Sequence, residues 1–193
     1  MERKVVLTVC SGNIHRSVIA QLCLSRELVN IGREMEFTVL SRGIQGTMGT
    51  IAPKYPNLLF YEMERRHTQP CLEEIGIKMP SGQKAMLIDE QIVKQVSLIL
   101  AMDQEVLRTK CTPEGVPMSL IDQFPGHISK MHLFMELVGR KEDVTDCGGK
   151  DDADFHRQMV MDINEGARDG IHTMIRWVEE LEAKTKERSD EDE

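Results

Sequence analysis

Near the N-terminus stand a cysteine, five residues and an Arg-Ser pair, in Cys10-Ser11-Gly12-Asn13-Ile14-His15-Arg16-Ser17. A thiol at one rim of a short polar loop and a guanidinium at the other can enclose a tetrahedral oxyanion. The sulfur then lies below the central atom, and the arginine grips two of its oxygens. A thiol is a poor nucleophile until ionised. Amide dipoles with a nearby arginine favour the thiolate of cysteines so placed, with pKa values of roughly 3.5–7.5 against ~8.5 for a free thiol. Ser17 is placed to donate to the sulfur and help it leave in a second half-reaction. Gly12 lets the backbone approach a ligand closely, and Asn13 tolerates the left-handed conformation that a closed loop of this kind requires. A buried, inert cysteine at a strand end is the common fate of a lone thiol. Here Arg16 and Ser17 favour a nucleophile in a phosphate site.

Such a loop needs a strand before it and a helix after it. Val5 to Val9 form a β-branched run, with Val5, Leu7 and Val9 on one face and Val6 and Thr8 on the other. Residues 18–32 carry Ile19, Leu22, Cys23 and Leu28 at helical spacing, ending at Gly32. The helix start adds its partial positive charge to the inward-pointing loop amides. Residues 36–41 make a second strand, and strand-helix-strand within ~40 residues implies a right-handed crossover and a parallel pair. Residues 58–76 read as a helix that Pro70 must interrupt or restart. Residues 97–101 and 129–137 supply strands three and four, and a long amphipathic helix runs from Phe155 to about Thr185. The fold class is therefore α/β, three-layered, with a four-stranded parallel sheet flanked by helices and the phosphate-binding loop after strand 1.

The 193 residues suit one domain, set at 1–183, with a charged and frayed tail at 184–193. A net charge of −8 speaks against nucleic acid or an anionic membrane as partner. The start Met-Glu-Arg-Lys leads straight into a strand, and no apolar run approaches ~18 residues, so neither a signal peptide nor a membrane span is expected. Five cysteines without paired spacing read as reduced thiols in a cytoplasmic protein. The thirteen methionines read as adaptable core filler. No metal or cofactor is expected, and His67 among charged neighbours reads as a solvated surface histidine.

The motif Cys10-Ser-Gly-Asn-Ile-His-Arg-Ser17 resembles the signature of the low-molecular-weight protein tyrosine phosphatases, with the bacterial protein arginine phosphatases and thioredoxin-coupled arsenate reductases as relatives. The resemblance implies a general acid far downstream, in an Asp-Pro-aromatic turn, and Asp146 in Val144-Thr145-Asp146-Cys147-Gly148 matches it. Asp122, in Asp122-Gln-Phe-Pro, is the second choice. Ser41-Arg42-Gly43 stands for the family's Ser-Ala-Gly beside the loop, making Ser41 either a support for Asn13 or Ser17 or simply a polar strand end. Gln83 falls where many relatives have a histidine that orients the loop Asn and Ser. Asp103 lies at a similar strand-to-helix junction and reads as an N-cap. A loop at 44–57 overhangs the pocket, with Tyr55 and then Tyr61 as candidate contacts for a substrate ring.

Three residues depart from the pattern. His15 replaces a Cys or Thr: when protonated it would help hold a thiolate and a phosphate dianion, and otherwise it is a loop filler pointing away. Cys147 replaces the proline and Gly148 the aromatic, which leaves the acid loop looser and the ring slot shallower. Cys147 could also act as a redox partner of Cys10.

The resulting expectation is a cysteine-dependent phosphatase acting on phosphorylated protein, most plainly phosphotyrosine, or on a small phosphoester. Cys10, Arg16 and Asp146 are catalytic, and Ser11, Gly12, Asn13, Ile14, His15 and Ser17 bind substrate. Asp146 gives a proton in the first step and takes one in the second, which predicts a bell-shaped pH–rate profile. Ile14 supports phosphotyrosine, since the arginine phosphatases tend to carry Thr there. Two rivals remain: an arsenate reductase, which needs two further cysteines close together, and an anion-binding scaffold whose acid loop has decayed.

Overall fold

The computed structural model describes residues 3–191. Four parallel strands form its centre: β1 (Lys4–Cys10), β2 (Phe37–Gly43), β3 (Leu98–Ala101) and β4 (Met131–Leu133), in the spatial order β2-β1-β3-β4. β1 is a central strand. Leu7 lies opposite Leu40 on one side and Ile99 on the other, and Thr8 opposite Ser41 and Leu100.

Side chains that alternate across β1 enter two different cores. Val6 and Cys10 join Val18, Ile19 and Leu24 of α1 (Arg16–Asn30) and Met159, Ile163 and Ala167 of α5 (Ala153–Glu191). Leu7 and Val9 face Val93, Val106, Leu107 and Leu120, under α3 (Glu90–Gln95), a π-type turn at Glu105–Thr109 and α4 (Leu120–Gln123). This is the three-layer α/β architecture expected, with Cys10 at the carboxyl end of a central strand. That edge is where open parallel sheets bind ligands.

Several boundaries differ from expectation. The fourth strand shrinks to Met131–Leu133, flanked by 3₁₀ turns at Pro125–Lys130 and Phe134–Val138. Phe134, Met135 and Leu137 are all buried, a run that a two-sided strand and a helical turn satisfy equally, and here the chain takes the turn. Two glycines of α5 make room for that turn. A Cβ on Gly166 would stand 2.6 Å from the Phe134 ring, and one on Gly170 2.5 Å from Leu137 Cβ. Pro70 does not break its helix: α2 (Glu62–Glu74) runs through it, with the proline on the exposed face and Thr68, Cys71 and Leu72 packing the buried one. α5 begins at Ala153 and continues through most of the expected frayed tail to Glu191, and residues 192–193 lie outside the described part. Among the described residues, no helix is long and apolar enough to cross a membrane.

Candidate active site

The chain from Cys10 to Ser17 closes into a cup, with Cys10 only 3 % exposed at its floor. Asn13 adopts φ +56°, as foreseen, and its backbone N–H points at Cys10 Sγ, 3.2 Å away. A relay of donors then runs through the loop. The Met86 N–H donates to Asn13 Oδ1 (2.9 Å), which fixes the amide's orientation, so Asn13 Nδ2 donates to Ser17 Oγ (3.0 Å). With its lone pair so used, the Ser17 hydroxyl hydrogen is free to point at Cys10 Sγ, 3.0 Å away. Behind the cup lies Gly43. A Cβ there would stand 2.8 Å from Ser11 O and 2.9 Å from Asn13 N, so only glycine lets β2 pass this close.

Two expected supports lie elsewhere. Ser41 is buried and donates to Gln21 Oε1 at 2.7 Å, bracing α1 rather than Asn13 or Ser17. Gln83 donates from its side chain to the Lys84 carbonyl. The position it was expected to fill is taken by a backbone group, the Met86 N–H on Asn13. No side-chain pattern could have announced that contact.

Arg16 is buried and forked. Nη1 meets Asp103 Oδ2 at 2.5 Å and the Val144 carbonyl at 3.3 Å, while Nη2 meets Asp146 Oδ2 at 3.1 Å. Burial works to lower its pKa, but Cys10, Asp103 and Asp146 together raise it above the ordinary arginine value. Asp103 does serve as a cap, accepting the Val106 N–H at 2.6 Å, yet its second oxygen is the buried partner of the guanidinium. Its place after the apolar run Leu98–Ala101, on the strand beside β1, was the available signal. Asp122, the alternative acid, is spent in a capping box with Ser119 and does not line the cup.

At His15 the structure favours one of the two open readings. Burial, then the neighbouring His156, and lastly Arg16 push its pKa down to about 3, against a smaller opposing pull from Asp146. It is therefore uncharged at neutral pH, which favours the second of its two readings, a loop filler, over a charged contributor to the cup. Its Nε2 is buried without a hydrogen-bond partner, and its ring meets His156 edge-on at 6.0 Å. His67 is not a solvated histidine: its Nε2 meets Asp151 Oδ1 at 2.6 Å, and its ring lies 5.3 Å from His156.

The cup opens into a cavity of about 340 Å³ lined by Ile14, Pro53, Tyr61, Glu64, Asp146, Gly148 and Gly149 beside the loop residues. Tyr61 thus reaches the pocket, whereas Tyr55 packs against Phe60 and Tyr61. The missing aromatic leaves the wall at Gly148 and Gly149 bare. Cys147 is buried, and its thiol is pushed up to about 12 by burial and by Asp146. A redox partner needs thiolate, and this residue holds little of it. Among the described residues, no group of three His, Cys, Asp or Glu side chains could hold a metal ion. Chemically, the arrangement can seat a dianion over a sulfur, with one carboxyl at the open side.

Comparison with known proteins agrees with this geometry. The family model for low molecular weight phosphotyrosine protein phosphatase matches residues 5–186. A curated relative, the low molecular weight protein-tyrosine-phosphatase Ptp of Acinetobacter johnsonii, is 34% identical over 104 residues, covering 54% of this chain and 60% of its own length. The chain thus matches less than two thirds of that relative. A YwlE mutant from Bacillus subtilis superposes with a TM-score of 0.68 at 20% identity, covering 89% of this chain and 98% of that one. The low molecular weight protein tyrosine phosphatase of T. tengcongensis gives 0.67 at 23%, covering 88% and 99%. The YwlE arginine phosphatase of Geobacillus stearothermophilus gives 0.66 at 17%, covering 93% and 96%. At these identities the solved structures share the fold.

Proposed function

The chain belongs to the low molecular weight phosphotyrosine protein phosphatase family, and on that premise we propose that it hydrolyses phosphomonoesters, with protein phosphotyrosine as the substrate class. The observation that carries this reading is the sulfur of Cys10 at the floor of a cup, with the Asn13 N–H and the Ser17 hydroxyl on it and Arg16 lining the same cavity.

Substrate phosphate enters the cup, and its oxygens replace Asp146 on Arg16 Nη2 while Asp103 keeps Nη1 in place. Cys10 Sγ attacks phosphorus opposite the ester oxygen, and the loop amides and guanidinium stabilise the charge that spreads over the equatorial oxygens. As the P–O bond breaks, Asp146 gives its proton to the departing oxygen, leaving a thiophosphoryl-enzyme. Asp146 then takes a proton from an entering water, the new P–O bond forms, and the P–S bond breaks. Its electron pair returns to the sulfur, where the Ser17 hydroxyl stabilises it. Ile14 and Tyr61 offer apolar and aromatic surface to a phenyl ring. The free thiols of the described residues support a cytoplasmic setting.

Turnover of p-nitrophenyl phosphate tests the assignment. Cys10→Ser is expected to abolish it, and Asp146→Ala to lower kcat by roughly 10²–10³-fold. Full activity in Cys10→Ser would overturn the reading. Retained activity in Asp146→Ala with loss in Asp122→Ala would move the acid. Faster hydrolysis of phosphoarginine than phosphotyrosine peptides would change the substrate class and leave the nucleophile in place.

A further inference from the structure

The loop that carries Asp146 lacks the stiffening proline and the aromatic, yet beyond Asp146 it is not left loose. Glu64 of α2 accepts the Gly149 N–H at 3.3 Å. Asp151 is gripped by Arg66 Nη2 and His67 Nε2, each at 2.6 Å. Between these contacts, buried His156 of α5 uses both ring nitrogens. Nε2 lies 2.9 Å from the Lys150 carbonyl, which can only accept, so Nε2 carries the proton; Nδ1 is left for the Thr68 hydroxyl at 2.8 Å. The same ring meets His15 of the phosphate loop. Three consecutive loop residues are thus held by α2 and α5, and one imidazole touches both the acid loop and the cup.

We propose that this clamp, centred on His156 and completed by Glu64, His67 and Thr68 of α2, positions the Asp146 carboxyl over the leaving oxygen. It does so in place of the rigidity absent at 147–148, and it rests on the reading of Asp146 as the general acid. Of the clamp residues only Glu64 lines the cavity, and none is hydrogen-bonded to Cys10 or Arg16. They are positioning residues, and they act through the backbone of Gly149, Lys150 and Asp151. Losing the clamp therefore harms only what Asp146 does, and in kcat/KM, which reads the chemistry up to the first release of product, that is the protonation of a poor leaving group. The cup and its anion affinity stay as they were.

The test compares kcat/KM for phenyl phosphate, whose leaving group needs a proton, with that for 2,4-dinitrophenyl phosphate, whose leaving group does not. His156→Asn keeps a partner for Thr68 and loses the Lys150 carbonyl. It is expected to lower the phenyl value by about tenfold and the dinitrophenyl value by less than about twofold. Inhibition by inorganic phosphate stays unchanged. His156→Gln, whose amide reaches toward the carbonyl, is expected to recover most of the loss. Combining His156→Asn with Asp146→Asn is expected to add nothing beyond Asp146→Asn alone, because the clamp works through that carboxyl. Should His156→Asn fold poorly, exposed Asp151→Ala removes the acceptor of Arg66 and His67 without entering the core, and a loss of about twofold to threefold selective for the phenyl substrate is expected. Equal losses on both substrates, weaker phosphate inhibition, or additivity with Asp146→Asn would overturn the clamp. A flat leaving-group response in Asp146→Asn itself would instead overturn the acid assignment, and the clamp with it.

Discussion

The phosphate loop and the acid loop face each other across Arg16 and are built in opposite ways. The hydrogen bonds on the Cys10 sulfur and the Ser17 hydroxyl join residues at most 7 positions apart, Asn13 to Cys10, Asn13 to Ser17 and Ser17 to Cys10, with a long-range brace behind them, the Met86 N–H on Asn13. The acid loop is held by partners 84 and 85 positions away on α2, and Asp146 meets Arg16 across 130 positions. A locally closed cup keeps its geometry as long as the strand and helix on either side of it exist. A loop held from a distance keeps its geometry only while the helices that brace it stay in register. The nucleophile is therefore the conserved-geometry half of this site in physical terms, and the acid is the adjustable half.

The largest effect expected lies on the residue that joins the halves. Asp103→Ala removes the partner of Arg16 Nη1 in a place where both side chains are buried. Breaking a buried pair from one side costs about 3–5 kcal/mol, and here the surviving guanidinium loses its buried counter-ion and keeps only the exposed Asp146 and the Val144 carbonyl. Urea unfolding measures the loss. If stability falls by less than ~1 kcal/mol, the pair contributes no more than a surface contact, and Asp146 alone suffices to hold the guanidinium.

Next comes a change confined to the local half. Gly43→Ala drives a methyl group to within 2.9 Å of the loop backbone at Asn13 N. Overpacking of this kind costs about 1–3 kcal/mol, and the backbone must shift at the cup itself. Inhibition by inorganic phosphate is expected to weaken together with stability. Weaker phosphate binding here, beside unchanged phosphate binding in His156→Asn, would sharpen the division between the halves. Loss of phosphate binding in both variants would erase it.

The same division explains what could be read from the chain beforehand. The cup was legible because its chemistry lies in eight consecutive residues after a β-branched run, and the Cys10, Asn13, Arg16 and Ser17 positions hold as expected. The parallel order of the strands followed from the same local pattern of strand, helix and strand. Asp103 looked like a cap and is one, but its bond to Arg16 spans 87 positions and leaves no local trace. Met86 contributes a backbone N–H, which any residue except proline could supply. His67 looked like a surface histidine, and nothing in the sequence singled out His156, until α2 and α5 came together. The short β4 misled because the buried run that follows Met131 and Leu133 suits a strand as well as a turn.

His15 is where the two halves touch, and it sets the smallest expected effect. It faces Arg16 from its own loop, Asp146 from the acid loop and His156 from α5. In the folded chain its pKa is pushed down to about 3 from an ordinary 6.5, so between those values the unfolded chain binds a proton that the native one refuses. Stability is therefore present in full above the unfolded value and declines as pH falls toward the folded one. From pH 7.5 to pH 5 this single imidazole is expected to cost about 2 kcal/mol. Urea unfolding at both pH values, in the native sequence and in His15→Asn, isolates the contribution, since every other titrating group is shared. The pH-dependent loss is expected to be about 2 kcal/mol smaller in the variant. An identical pH dependence in both proteins would mean that His15 accepts a proton in place, and that the contact between cup and clamp tolerates a charge which its burial and its neighbours His156 and Arg16 argue against.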